Sequence, residues 1–343
     1  MIPVGQRLFL HLKKNVIGVG YGFKEVGGMQ TNEKSIVCVV NEKVESHKLK
    51  KKDIIPKEIC GIKTDVFQSG EFSAFSQFNP LESIDDDLPA RPGNSIGEKT
   101  ISAGTFGWLP NTPNGPMIHS NCHVLAASGN ADIGSEILYP GPYDGGILPD
   151  NHIANLYDFE PIKFIGPDNP LDQCKVARGI AWTPNMLAQL FKRRTRLVPV
   201  RSFDGSDFPG TPFPENYIDG AIAQPLSFDI ASPEILTIGQ PTGFVDIELG
   251  MEVHKHGRTT DYTVGIVDMV EFSLTVGYGE GKNAFFVDQF TIKHGSSPFA
   301  SPGDSGSCIL VRSDVGGTLF AGSDTMTACN HIKHHRQRFE LSI

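Results

Sequence analysis

One serine in this chain is set where a serine could act as a nucleophile. It lies in Pro302-Gly303-Asp304-Ser305-Gly306-Ser307, which leads directly into the apolar run Cys308-Ile309-Leu310-Val311. Glycines on both sides let the backbone turn sharply, expose the hydroxyl and aim successive N–H groups at one point, as stabilisation of an oxyanion requires. A hydroxyl alone is a weak nucleophile and needs a base. At about 7% per residue type the tetrad arises by chance in roughly one chain in a hundred of this length, so it needs partners.

Two partners are candidates. His123 stands in Ile118-His119-Ser120-Asn121-Cys122-His123-Val124-Leu125-Ala126, between a polar turn and a short apolar helix start. For any one of the 11 histidines, a satisfied structural ring is the better bet. Asp219 opens the small, apolar strand-like segment Tyr217-Ile218-Asp219-Gly220-Ala221-Ile222-Ala223, where a solvated strand end is the bland alternative and Asp158 and Asp229 compete for the role. The order His123, Asp219, Ser305, with separations of 96 and 86 residues, makes the set more than its parts.

The elements that must position them read as mainly β. Runs at 16–24 and 35–41 are strand-like about a Gly27-Gly28 turn, and a charged stretch at 45–59 precedes another run at 61–67, so residues 1–70 are expected to form a small α/β unit. Its Lys48 run reads as a solvated face. Residues 71–95, with Asp85-Asp86-Asp87, Pro89, Pro92 and Gly93, have a linker composition. Beyond them come short runs at 133–139, 218–223, 264–270, 272–278, 285–292 and 306–312, spaced as in sandwiches and barrels. Helices are expected only at 184–196 and 330–342.

Composition narrows the function classes. With 343 residues and 39% apolar content the chain fills more than one core, and its 37 Gly and 24 Pro imply many turns. A net charge of −9 disfavours a broad nucleic-acid or anionic-membrane footprint. No run approaches the roughly 18 apolar residues of a membrane span, and the start of the sequence has no leader pattern. Six cysteines without CxxC spacing suggest buried thiols, and the expectation is a soluble, cytoplasmic chain.

The three motifs together resemble the chymotrypsin/trypsin-like serine proteases, which place the histidine and aspartate on one Greek-key barrel and the serine on a second, in this chain order. Subtilisin and α/β-hydrolase orders differ. The segment Gly257-Arg258-Thr259-Thr260 with the following Val264-Gly265-Ile266-Val267 is similar to a turn and strand of bacterial members, and on chemistry alone is a structural hairpin. From Asn15 through Arg91-Pro92-Gly93-Asn94-Ser95 to Leu319-Phe320-Ala321-Gly322-Ser323, the chain looks like uncharacterised bacterial trypsin-like proteins related to plant narrow-leaf-type proteases.

The resemblance implies a double β-barrel, with a first barrel over 96–227 and a second over 228–343 ending in a helix. It also implies a serine endopeptidase that uses no cofactor and no metal. Ser305 would attack the scissile carbonyl, His123 would take and return its proton, and Asp219 would hold the imidazole. The N–H groups of Gly303 and Ser305 would form the oxyanion hole. Phe299 would stand at the base of the specificity pocket, favouring small or apolar side chains over Arg or Lys, and Gly322 and Ser323 would line the substrate backbone. The expected partner is a polypeptide substrate, with no nucleic acid or membrane and with self-association left open.

Three departures bear on that pattern. Cys122 precedes the histidine where bacterial relatives usually carry Asn, no Cys follows His123, and no activation sequence precedes the first barrel. Asp304 is therefore expected to pair with something other than a new amino terminus. Rival readings are a catalytically silent member that binds peptides or partners, and an esterase or amidase on small substrates. His331, His334 and His335 are expected on a solvated amphipathic helix rather than at a metal, and His254 and His256 at the surface.

Overall fold

The computed structural model describes residue 2 and residues 4–74, 87–165 and 213–343. The helix expected at 184–196, Cys174, Asp85 and Asp86 fall outside them. The chain is mainly β, and the short Gly- and Pro-bounded runs fold as strands.

The principal strands in chain order are β1 (Val16–Val26), β2 (Met29–Val40), β3 (Ile62–Gln68), β4 (Phe72–Ser73), β5 (Ser95–Glu98), β6 (Gly104–Thr105), β7 (Ile118–Ser120) and β8 (Glu136–Leu138). They continue as β9 (His152–Phe159), β10 (Ala221–Pro225), β11 (Glu252–Gly257), β12 (Asp261–Gly277), β13 (Asn283–Lys293), β14 (Cys308–Val311), β15 (Asp314–Gly322) and β16 (Met326–His331). Helices are α1 (Val4–His11), α2 (Cys122–Leu125) and α3 (Ile332–Phe339).

Strand pairing builds two closed rings. In the first, β7 pairs β10, then β9, β8, β5 and β6 follow in order. The chain leaving β6 returns to β7, where Gly107 donates to His119 and His119 to Trp108. In the second, β11 pairs β12, which pairs β13, and β16, β15 and β14 lead back to β11. Within each ring every strand is paired on both sides, β6 through its continuation at Gly107 and Trp108. Apolar inward faces fill each ring, with Val253, Val267, Phe290, Ile292, Ile309 and Leu319 forming a core in the second.

Where the sequence suggested two strands at 264–270 and 272–278, the structure has the single 17-residue strand β12. Register shifts against β13 and a left-handed Glu271 (φ 50°) bend it without ending it. A bulge re-aims a strand while keeping its pairing. The bent β12 thereby serves the barrel and also carries β1 on its other edge. The glycine alternation of β1 explains that contact, because a methyl on Gly18 would lie 2.4 Å from Phe272 Cζ and one on Gly20 2.8 Å from Phe272 Cδ2. The amino-terminal unit is thus not a separate sheet: β1, β2 and β3 extend the sheet of the second barrel.

Part of the expected linker is also structured. Phe72 is buried and β4 pairs with both β12 and β15, while Ala90 is buried and bridges to Ala231. A further ion pair crosses between the rings, the Arg258 guanidinium meeting the Asp144 carboxylate through Nε at 2.6 Å, both side chains buried. The arginine of the predicted hairpin turn is therefore a barrel-to-barrel strut.

Candidate active site

Short helix α2 begins the site. The first N–H groups of any helix lack an intrahelical acceptor, and here the His123 amide finds one in Asp219 Oδ1 at 3.1 Å. The other carboxylate oxygen, Asp219 Oδ2, lies 2.6 Å from His123 Nδ1 and accepts the Tyr278 hydroxyl at 2.7 Å. Asp219 is fully buried, and its backbone is fixed from both barrels. Asn121 Nδ2 donates to its carbonyl at 2.7 Å, and its own N–H donates to Asn330 Oδ1 at 2.9 Å. With Nδ1 engaged by the carboxylate, the imidazole turns Nε2 to the opposite side, where it is buried without a partner among the described residues.

Ser305 sits on the loop between Gly303 and Gly306, whose φ values of 104° and 96° belong to the left-handed region that glycine tolerates. Space enforces the same choice: a methyl on Gly306 would lie 2.0 Å from Ser120 Oγ, and one on Gly303 2.3 Å from Thr259 Oγ1. The loop is stitched to the first barrel by Thr105, whose N–H donates to the Ser305 carbonyl at 2.7 Å and whose hydroxyl donates to the Gly303 carbonyl at 2.9 Å. Gly104 beside it is the spacer, since a methyl there would lie 2.4 Å from Val124 Cγ2 and 3.0 Å from Ser305 O. The serine loop therefore abuts the helix that carries His123. Ser305 Oγ, like His123 Nε2, is buried without a hydrogen-bond partner among the described residues, and the two are not bonded to each other. The Gly303 and Ser305 amides likewise donate to no group among the described residues.

Asp304, between them, faces away from the imidazole. Its Oδ1 accepts the amides of Thr259 at 2.8 Å and Thr260 at 3.2 Å, and its Oδ2 accepts the Ser301 amide at 2.9 Å and the Thr260 hydroxyl at 2.7 Å. Lys255 Nζ stands 3.6 Å away, and both side chains are fully buried. Burial pushes the Lys255 ammonium below the ordinary lysine range, and the Asp304 charge opposes that shift. The partner expected for Asp304 in place of a new terminus is thus a lysine two residues before the hairpin glycine.

Other sequence expectations fare differently. Phe299 is buried in the core of the second barrel, its carbonyl accepting the Thr263 hydroxyl at 2.8 Å and its ring 5.8 Å from Lys255 Nζ. Gly322 does not offer a free strand edge: it pairs with Thr327 on one side and with Ser73 of β4 on the other. The amino-terminal segment fills the position expected for a substrate backbone there, and Ser323 lies just beyond, its N–H donating to Met326 O at 2.8 Å.

The competing acids are elsewhere. Asp158 is paired with Arg338 at 2.7 Å, and Asp229 is exposed. The helix at 332–339 is not solvated throughout: His335 is fully buried, its Nδ1 3.0 Å from His119 Nε2 beneath the site, and His331 and His256 are buried as well. Packing of α3 against the first barrel through Gly220 and Phe339 puts that face inside. His254 is half-buried rather than at the surface. No cluster of metal-ligating side chains occurs among the described residues.

Tyr278 and Asn330 escaped the sequence reading because nothing local marks them. Asn330 reaches Asp219 from β16 and Tyr278 from the residue just past the end of β12, both in the other barrel. Asn121 stood in the histidine motif without a role.

No family model matches the chain, and no curated protein does. Among solved structures it is similar to Thermobifida fusca protease A, with 14% identity and a TM-score of 0.43 over 74% of this chain and 96% of that one. It is similar also to Cellulomonas bogoriensis chymotrypsin, with 14% identity and a TM-score of 0.41 over 74% and 97%. A third is a glutamic acid-specific serine protease described as using a histidine triad in substrate binding, with 11% identity and a TM-score of 0.43 over 74% and 100%.

Proposed function

We propose that the chain is a serine endopeptidase whose nucleophile is Ser305, with His123 as base and Asp219 as the group that fixes the imidazole. The observation that carries this reading is the buried His123–Asp219 contact beside the Ser305 loop. The imidazole is held on its Nδ1 side by a buried carboxylate, and its Nε2 and the Ser305 hydroxyl have no hydrogen-bond partner among the described residues, where the loop of one abuts the helix of the other. A carboxylate on Nδ1 fixes the tautomer in which Nε2 can accept a proton, which is what a weak serine nucleophile needs beside it.

In this reading the Ser305 oxygen attacks a peptide carbonyl as its proton passes to His123 Nε2. The new negative oxygen is received by the Gly303 and Ser305 amides, and the imidazolium is held against Asp219. The tetrahedral adduct collapses as His123 returns the proton to the departing amine, leaving an ester on Ser305. Water then repeats the sequence, giving its proton to His123 and releasing the carboxylic acid and the free serine. Phe299 lies in the core of the second barrel and so does not itself define a preference at the cleaved bond.

A second reading, a silent member of the fold that binds peptides, has one observation in its favour: Ser305 and His123 do not hydrogen-bond to each other here. Such bonds often tighten only when substrate is bound. A fluorophosphonate probe separates the two. Labelling of the full-length chain that disappears in Ser305→Ala supports the enzyme, and a folded chain that resists the probe supports the binder.

A further inference from the structure

We propose that Tyr278 is a positioning residue of this centre, its hydroxyl holding the Asp219 carboxylate at the same oxygen that faces His123. The role rests on the Ser305–His123–Asp219 reading above. Asp219 Oδ2 lies 2.6 Å from His123 Nδ1 and 2.7 Å from the Tyr278 hydroxyl, while Oδ1 takes the His123 amide. No lysine or arginine pairs with Asp219 among the described residues, so its charge is met by hydrogen bonds and the imidazole alone. Hydrogen bonds to an ionised acceptor are about twice as strong as neutral ones, so one phenol is a large share of what holds this carboxylate.

The phenol itself is held from several directions. Its ring stands edge-on to the His123 ring at 6.0 Å and 73°, edge-on to Phe164 at 5.5 Å and stacked on Phe286 at 6.3 Å. Its amide donates to Lys282 O at 2.9 Å, and the preceding residue, Gly277, accepts the Ala74 amide at 3.0 Å. The amino-terminal strand β4 therefore braces the backbone from which Tyr278 reaches Asp219. Burial, reinforced by the Asp219 charge, pushes the phenol well above its ordinary range, so it keeps its proton and acts as a donor at every working pH.

Donation to the oxygen shared with His123 draws charge from the carboxylate and weakens its hold on an imidazolium. The other ionisable groups near Asp219 are the Cys122 thiol, with Glu160 beyond it, and His335 behind Gly220. Burial raises the thiol well above its ordinary value and lowers His335 well below its own, so both stay neutral at mid pH. Glu160 is engaged by Arg338 at 2.8 Å.

The test is the rate of fluorophosphonate labelling of the full-length chain as a function of pH, together with the low-field Nδ1–H proton resonance of His123, identified by its loss in Asp219→Asn. Tyr278→Phe keeps the ring and removes the donor. It should slow labelling about ten-fold, the rate equivalent of one such hydrogen bond, and move the midpoint of the profile to higher pH. Placing 3-fluorotyrosine at 278 strengthens the donor and should move the midpoint the other way, which covers the case of a poorly folded phenylalanine variant.

A purely structural tyrosine would lower stability while leaving midpoint and resonance where they are. That result in a folded variant overturns the proposal. If the unmodified chain does not label at all, the reading of Ser305 as nucleophile fails. The resonance then decides by itself: displaced by Tyr278→Phe, it supports the hold on the His123–Asp219 pair, and unmoved, it ends it.

Discussion

Two fully buried carboxylates, Asp304 and Asp219, belong to the two barrels, and their partners differ. Asp304, in the second barrel, receives three amides and a hydroxyl and has a buried ammonium, Lys255, beside it. Asp219, in the first, receives one amide and one hydroxyl and meets an imidazole, with no lysine or arginine paired to it among the described residues. A charge with a permanent counterion is already satisfied and serves to fix a loop. One without it has its strongest response in reserve for a cation that forms and disappears, as an imidazolium does during proton transfer. Asp304 thus fixes the loop, while in the proposed function Asp219 answers the imidazolium.

Asparagine at each position should separate the two. Asp219→Asn keeps the volume and most hydrogen bonds but offers Nδ1 the wrong partner, so labelling of Ser305 should fall on the order of 10⁴-fold with little change in the denaturant midpoint. A variant that labels at the normal rate would remove Asp219 from the chemistry. On the other side, Lys255→Met strands the Asp304 charge in the interior, and breaking a buried pair from one side costs about 3–5 kcal/mol. Urea unfolding should show that loss, and adding Asp304→Asn should restore part of it. A Lys255→Met chain as stable as the original would mean that the amides around Asp304 suffice and that the contrast between the carboxylates is one of degree.

How far the sequence reached follows the same division. The local backbone around His123, Asp219 and Ser305 was legible because each sits in a local pattern: glycines at positive φ around the serine, a short helix after Asn121, small residues after the aspartate. Apolar runs also mark β1, β2, β3, β8, β10, β12, β13 and β14. What escaped came from contacts made across long sequence separations. Tyr278 lies 59 residues from Asp219, and Asn330 lies 111 away. No local spacing announces such partners. The union of β1 with β12 hid for a related reason: Gly18 and Gly20 look like turn formers until Phe272 is laid across them. The seating of β4 against Gly322 was hidden inside a segment whose composition reads as a linker.

Beneath Asp219 lies a second pair of groups, His119 and His335, in which burial favours the neutral form. Their nitrogens are 3.0 Å apart, the His119 ring is lowered to about 3 by burial, and His335 is lowered well below its ordinary value. The unfolded chain binds protons on these rings near pH 6.5, while the folded chain excludes them, so their contribution is fully present above that pH. It is lost as pH falls toward 3, at about 1.4 kcal/mol per unit for each ring. His11, lowered to about 3, and His331, lowered to about 4, act in the same direction. Urea unfolding between about pH 6 and pH 4 should therefore show a steep loss, and His335→Gln should flatten it by about one ring's share. An unchanged slope would mean that the rings are solvated in the folded chain.

The mildest test uses an acid that the sequence allowed as a competitor. Asp158 accepts both terminal nitrogens of Arg338, at 2.7 and 2.9 Å, but at the surface, with about a third of each side chain exposed. An exposed pair contributes about 1 kcal/mol or less, and nothing links this one to His123. Asp158→Asn should therefore shift the urea midpoint slightly and leave the rate and pH profile of Ser305 labelling as they were. Equal losses from Asp158→Asn and Asp219→Asn would mean that the base feels a distant, screened carboxylate as strongly as the one bonded to it. Negative charge in the first barrel, rather than the bond to Nδ1, would then be what the imidazole requires.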